Sequence, residues 1–252
     1  MPRNIDTYSE VFGGAGWVLV KGTFEAKRLI YNDFNKFLSN IFECCKNPDD
    51  FLYHLKNTEA QNLQIFNEAK QTILDIGDNY TIPDYDIATK YILVLTQTFS
   101  GMMSPKVKMV DLHGKYTSKY YAFIHKLENL KIRKRLEKLE VTNQSFEQVI
   151  EQYDSKNTFF YLDPPYYKKE HLYAFHDFGR GHHEKLADIL QNIKGKFILS
   201  YYEYDELNEW YPGGKYIWER KDYAKASMAT KGKKQSIGTE LLIMNYKNML
   251  RI

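Results

Sequence analysis

Thr158-Phe159-Phe160-Tyr161-Leu162-Asp163-Pro164-Pro165-Tyr166 is the stretch on which the reading of this chain turns. Its first five residues are β-branched, aromatic or aliphatic and predict a strand. Two consecutive prolines cannot continue a ladder, because neither has a backbone N–H to give, so the chain must leave the sheet at Asp163. The carboxyl edge of an open α/β sheet is where ligands bind. Asp163 brings carboxylate oxygens to that edge, and Pro164 brings a carbonyl. Together they can accept both hydrogens of one amino group, drawing a planar, delocalised amine toward tetrahedral geometry and aiming its lone pair outward. Tyr166 adds an aromatic face. A rigid turn alone would also use these residues, so the tetrapeptide needs company before it means chemistry.

That company stands near the start of the chain. A short strand, Thr7 to Glu10, runs into Val11-Phe12-Gly13-Gly14-Ala15-Gly16, followed by an apolar segment from Trp17. Glycines there let the backbone turn sharply and approach a ligand closely. A second strand, Leu29 to Tyr31, is followed by Asp33, 17 residues beyond Gly16; an acid that holds ribose hydroxyls stands roughly 20 residues beyond such a loop. No Lys-Ser/Thr pair follows the glycines, so the pattern favours a nucleoside over a triphosphate.

Further strands are expected at Glu140 to Thr142, Phe197 to Tyr201 and Leu241 to Tyr246, with helical periodicity between several of them, as at His183 to Ile193. Alternation of this kind predicts an α/β fold with helices on both faces of one sheet. From Phe37 to about Leu139 the pattern is helical: Phe37 to Cys45, Leu63 to Ile76, Ile87 to Phe99 and Tyr120 to Leu139, interrupted by a loop from Ser100 to Gly114. We therefore expect a sheet domain made of residues 1–36 and 138–252, and an inserted helical lobe over 37–137.

Composition narrows the class. The chain has 252 residues, 43% of them hydrophobic and 27% charged, enough for one substantial core. No run approaches the roughly 20 apolar residues of a membrane span, and no signal-like segment opens the chain, so a cytoplasmic protein is expected. Cys44 and Cys45 predict a buried reduced pair, and no Cys/His spacing suggests a metal. The net charge of +3 is mild, but lysines and arginines crowd Lys106 to Lys138, including Arg133 and Arg135. A second run holds Lys221, Lys225, Lys231, Lys233 and Lys234. Such clusters suit a phosphate backbone, and a solvated helix face equally. The scattered histidines suggest no catalytic role: His182 and His183, at a helix start, read as capping or solvated groups. Trp17 is expected to pack its helix on the sheet.

With these motifs in this order, the chain resembles the Dam-type (D12 class) DNA N6-adenine methyltransferases. Glu10 to Gly16 resembles that family's cofactor loop, Asn32-Asp33-Phe34-Asn35 its ribose-binding acid, and Asp163 to Tyr166 its catalytic tetrapeptide. Ser145-Phe146 resembles the segment beside the cofactor's adenine, although the family often has Asp where Ser145 stands. His183 with Leu186, Ser200-Tyr201 and Glu240-Leu241-Leu242-Ile243 resemble its closing elements. The resemblance implies a Rossmann-like sheet with an inserted target-recognition lobe, S-adenosylmethionine as cofactor, and double-stranded DNA as partner. It implies neither a metal nor a membrane, and a monomer or weak dimer.

It assigns catalysis to Asp163, Pro164, Pro165 and Tyr166, with adenine swung out of the duplex and stacked on Tyr166. The cofactor falls to Glu10, Phe12, Gly13, Gly14, Ala15, Gly16, Asp33, Ser145, Phe146 and Asp163. DNA falls to Lys106, Lys108, Lys115 and Lys119, and to Lys231, Lys233 and Lys234 within a backbone-gripping stretch from Ala224. One departure is that the family usually opens with a Gly-Gly-Lys-like element, and none is seen before Asp6. A weakened or inactive nucleic-acid-binding homologue, or an RNA methyltransferase, therefore stands as the alternative.

Overall fold

The computed structural model describes residues 5–98, 101, 103–110, 117–168, 178–224 and 237–247. Among them are seven strands of one sheet: β1 (Thr7–Glu10), β2 (Arg28–Asn32), β3 (Leu139–Thr142), β4 (Thr158–Leu162), β5 (Lys196–Tyr202), β6 (Ile217–Ala224) and β7 (Ile237–Met244). Their order is β3-β2-β1-β4-β5-β7-β6. The first five run parallel, while β7 pairs antiparallel with both β5 and β6. From β1 the chain builds outward through β2 and β3, then returns to lay β4 on the other side of β1. The switch point of the sheet is therefore the seam between β1 and β4, where the two strand ends open a crevice.

Alternation along each strand divides the core in two. Tyr8, Leu29, Tyr31, Phe159 and Met244 face one side, where they pack with α1 (Trp17–Lys21), α2 (Lys36–Cys44), α3 (Pro48–Lys56), α4 (Leu63–Ile76), α5 (Tyr85–Gln97), α6 (Thr117–Glu128) and α7 (Leu130–Leu136). Ile30, Phe160, Leu162, Phe197, Leu199, Leu241 and Ile243 face the other, under α8 (Phe146–Tyr153), α9 (Arg180–Gln191) and α10 (Leu207–Trp210). The helical segment is thus continuous with the sheet's own core. Phe51, Phe66, Ile73 and Tyr120 are buried in the same cluster as Tyr8 and Phe159.

Helices α8 and α10 add to the expected elements, and two further departures have a local cause. Tyr120 to Leu139 is two helices rather than one, because the Asn129 side chain accepts from Lys131 N at 3.0 Å and Ile132 N at 3.2 Å and so starts α7 afresh. Strand β6 was not foreseen. Its sequence, Ile-Trp-Glu-Arg-Lys-Asp-Tyr-Ala, has no apolar run, since it is the sheet's edge and carries the charges that discourage further pairing. Cys44 and Cys45 are free and buried, and burial pushes the Cys44 thiol up to about 12, as a reduced, inert pair requires. Among the described residues no helix is long and apolar enough to cross a membrane.

Candidate active site

The loop after β1 is shaped by two aromatic rings behind it. Tyr31 and Phe42 stack with ring centres 3.7 Å apart. A Cβ on Gly13 would lie 2.3 Å from the Tyr31 ring, and one on Gly16 would lie 2.6 Å from that of Phe42. Gly16 also has φ +60°, the left-handed region that glycine alone enters freely. The turn is closed by Gly16 N donating to the Gly13 carbonyl at 2.8 Å, and the loop is tied to β2 by Gly13 N donating to the Asn32 carbonyl at 2.7 Å.

The ends of β1, β2 and β3 are fastened together by Asn32, which is 1% exposed. Its amide donates to the carbonyls of Val11 (2.8 Å) and Gln144 (3.1 Å), and its oxygen accepts from Thr142 Oγ1 (2.8 Å) and Gln144 N (2.9 Å). Next to it, Asp33 accepts from Gly14 N at 2.7 Å with one carboxylate oxygen and from Asn35 N at 2.8 Å with the other. The acid and the glycine loop therefore hold each other. Ser145 caps α8: its hydroxyl accepts from Gln148 N while the Gln148 side chain accepts from Ser145 N.

Strand β4 lies between β1 and β5, with Glu10 beside Tyr161 and Leu162 beside Leu199. Asp163, one residue further, consequently emerges at the crevice. Its carboxyl opens into the cavity but is hemmed in by protein. Burial, opposed by a hydrogen bond from Tyr166 and reinforced by the charge of Glu240, pushes it up to about 6. Ser200 also hydrogen-bonds it. Tyr166 packs on Tyr202, ring centres 4.3 Å apart.

A cavity of about 1070 Å³ fills the space over these strand ends. Of the residues expected at a ligand, Phe12, Gly14, Ala15, Asp33, Ser145, Phe146, Asp163 and Pro165 line it. Gly13, Gly16 and Pro164 are buried and Tyr166 is half-buried, and none of the four lines the cavity with its neighbours. Glu10 is 1% exposed beneath the loop, where one of its oxygens accepts from Leu19 N at 3.3 Å, and burial pushes its carboxyl up to about 8.

Lys119 is exposed and reaches the cavity from α6, while Lys106 and Lys108 are exposed away from it. Lys115, Lys231, Lys233 and Lys234 lie outside the described residues. Two members of the basic cluster are committed elsewhere: Arg133 pairs with Asp49 at 2.7 Å, and Arg135 donates to the carbonyls of Leu19 (2.5 Å) and Phe24 (3.1 Å).

Trp17 corrects the expectation made for it. It does not pack α1 on the sheet but is 54% exposed at the cavity, with Lys21 and Lys126 over its ring at 4.2 and 4.8 Å. The inward-facing residue of that short helix is Leu19 instead. His182 behaves as a capping group, accepting from Gly179 N at 3.2 Å. His183, by contrast, is fully buried on the Tyr201 hydroxyl at 2.6 Å. Asn32, Ser200 and Glu240 stood in segments that resemble the family, but their partners are seen only here. Each acts through partners far away in sequence, so no local pattern marks it. Among the described residues no group of three or more His, Cys, Asp or Glu side chains could hold a metal ion.

The chain is similar to known methyltransferases. The chain is 25% identical over 255 residues to the type II methyltransferase M.CviBI of Paramecium bursaria Chlorella virus NC1A, covering 98% of this chain and 92% of the relative. It is 26% identical over 264 residues to the type II methyltransferase M.MjaIII of Methanocaldococcus jannaschii, covering 96% and 89%. A family description matches residues 1–225, a span that holds the glycine loop, Asp33 and the tetrapeptide together, and the chain belongs to that family, the D12 class N6 adenine-specific DNA methyltransferases.

Proposed function

We propose that the crevice between β1 and β4 is where this DNA adenine methyltransferase binds S-adenosylmethionine and a swung-out adenine, and that Asp163 and Pro164 hold the target amine. The observation that carries this reading is the meeting of three separate strand ends, at Gly14, Asp33 and Asp163, on one cavity of about 1070 Å³. That volume lies at the upper end of small-molecule sites, so it has room for a nucleoside cofactor and a base together. The residues suit the cofactor. Both oxygens of Asp33 are already aimed by backbone N–H groups, and each keeps lone pairs to accept a ribose hydroxyl. Phe12 and Phe146, ring centres 5.7 Å apart, supply apolar walls for a purine. Gly14 lets the backbone come close.

When bound, S-adenosylmethionine supplies a methyl group activated by its sulfonium. The protein's work is then positioning. Asp163 and the Pro164 carbonyl accept the two hydrogens of N6, turning the nitrogen lone pair toward that methyl. Tyr166, braced on Tyr202, offers its ring to a base that is unreachable inside the duplex. Pro165 and Phe12 keep the reacting corner apolar. The helical segment over 37–137, with Lys106, Lys108, Lys115 and Lys119, recognises the DNA, and Lys231, Lys233 and Lys234 grip its backbone. One copy of the chain brings Gly14, Asp33 and Asp163 to a single cavity, which suits a monomer or weak dimer, and its two reduced thiols suit the cytoplasm.

Asp163→Ala tests the reading. Methyl transfer to duplex DNA should fall by about a thousandfold, in the range seen when a transition-state contact is removed. Calorimetric binding of S-adenosylmethionine should survive. A fully active variant refutes the role given to this carboxylate.

A further inference from the structure

One face of the sheet carries a row of polar groups across neighbouring strand ends. Asp163 follows β4, Ser200 lies in β5, and Glu240 lies in β7. The pairing brings them together: Leu162 is level with Leu199, so Asp163 comes level with Ser200, while Ser200 is opposite Leu242 and Tyr202 opposite Glu240. Ser200 is fully buried. Its hydroxyl can donate to a Glu240 oxygen at 3.4 Å, or turn to donate to the ionised Asp163 carboxyl beside it, which holds that carboxyl down. A serine hydroxyl has one proton to donate and lone pairs to accept with. Placed between two carboxyl groups, it can donate to only one of them, and it can accept only from a carboxyl that holds a proton. Glu240 is half-buried, with part of its surface open to solvent.

We infer that Ser200 and Glu240 form a proton exit from Asp163, which clears the target nitrogen after methylation. This rests on the reading of Asp163 given above. Once methylated, N6 holds one proton too many. An N–H bond breaks with its electron pair left on nitrogen, and the proton bonds to the Asp163 carboxylate. Asp163 then passes that proton to Ser200 Oγ as Ser200 passes its own to Glu240, which releases a proton to solvent. The hydroxyl ends as it began, both carboxylates are restored, and no co-reactant is needed. Ser200 and Glu240 act through Asp163 and are positioning residues.

Among the described residues, the titratable groups that face Asp163 are Tyr161 on its own strand, Glu10 on β1, Tyr166 on the exit loop and Glu240 on β7. Glu240 pushes the Asp163 carboxyl up, whereas the Ser200 hydroxyl holds it down. Replacing the two residues should therefore move the Asp163 titration in opposite directions, which general damage to the fold would not do.

The test uses the full chain in two measurements. Carbonyl-stretch infrared titration of the free protein, with Asp163→Asn to identify the band, should place the Asp163 midpoint lower in Glu240→Gln and higher in Ser200→Ala than in wild type. Steady-state methylation of plasmid DNA should slow roughly 10- to 100-fold in both variants, the share a positioned proton transfer contributes, while single-turnover transfer of labelled methyl, which precedes the proton's departure, keeps its wild-type rate. Donor and DNA affinities should stay unchanged, and Ser200→Thr, which keeps the hydroxyl, should restore the rate. Wild-type steady-state rates in Ser200→Ala and Glu240→Gln overturn the exit, as do midpoints that shift together. If one variant fails to fold, the other decides by its rate and the direction of its midpoint. An inactive Asp163→Ala beside unaltered Ser200→Ala and Glu240→Gln rejects the exit alone; a fully active Asp163→Ala rejects the reading beneath it.

Discussion

Glu10 shows how a single buried group sets a solution property of the whole chain. Its carboxyl is pushed up to about 8 by burial, against an ordinary value of 4.5. Between those values the folded protein holds a proton that the unfolded chain has released, so folding stability falls as pH rises through that window and levels off above it. The effect at pH 9 relative to pH 5 is on the order of a few kcal/mol. Glu10→Gln should flatten the dependence: thermal unfolding midpoints from pH 5 to 9 should fall for wild type, while the variant should fall only up to about pH 6, where Asp163 titrates, and stay nearly level above it. Parallel curves would contradict the burial assigned to this group. Nothing in the sequence distinguished Glu10 lining the cavity from Glu10 buried under the loop, because both place an acid at a strand end and only α1 closing over it separates them.

At the scale of the element, the glycine loop and the α8 cap make separate predictions. Gly16→Ala must put a Cβ into the left-handed region and 2.6 Å from the Phe42 ring. Those costs add to about 3 kcal/mol in denaturant unfolding. An alanine tolerated at under 1 kcal/mol would mean that the ring yields freely. Ser145→Ala removes half of a capping box and should cost about 1 kcal/mol in the same measurement. Local chemistry of this sort is visible in sequence: glycines before a helix and Pro-Pro after an apolar run. Strand β6 was invisible for the converse reason. An edge strand buries little, and its pairing comes from β7 rather than from any apolar pattern of its own.

For the whole molecule, the relevant quantity is the field that DNA meets. Lys106 and Lys108 are exposed on the segment after α5, which Lys70 holds by donating to the Val107 carbonyl at 3.2 Å. Replacing both by alanine should weaken duplex binding and lower the slope of log affinity against log salt by about two, near 0.9 for each phosphate no longer neutralised. Anisotropy titrations at several salt concentrations measure this, and an unaltered slope would remove the segment from the interface. Arg133 and Arg135 looked equivalent to these lysines in the sequence, but only the folded chain reveals that one is paired with Asp49 and the other engaged by backbone carbonyls.

The sequence by itself determined where the chain must leave the sheet and where it must turn tightly, since proline's missing donor and glycine's missing Cβ act on adjacent residues and need no partner. It therefore revealed the α/β class, the glycine loop, Asp33 and the Asp163 corner. Tertiary structure alone decided which strand ends meet, that β7 runs against its neighbours, and that Ser200 and Glu240 stand beside Asp163. Strand pairing joins residues far apart along the chain through backbone hydrogen bonds, which every residue can accept and every residue but proline can donate, and such bonds leave no local mark on the residues they bring together.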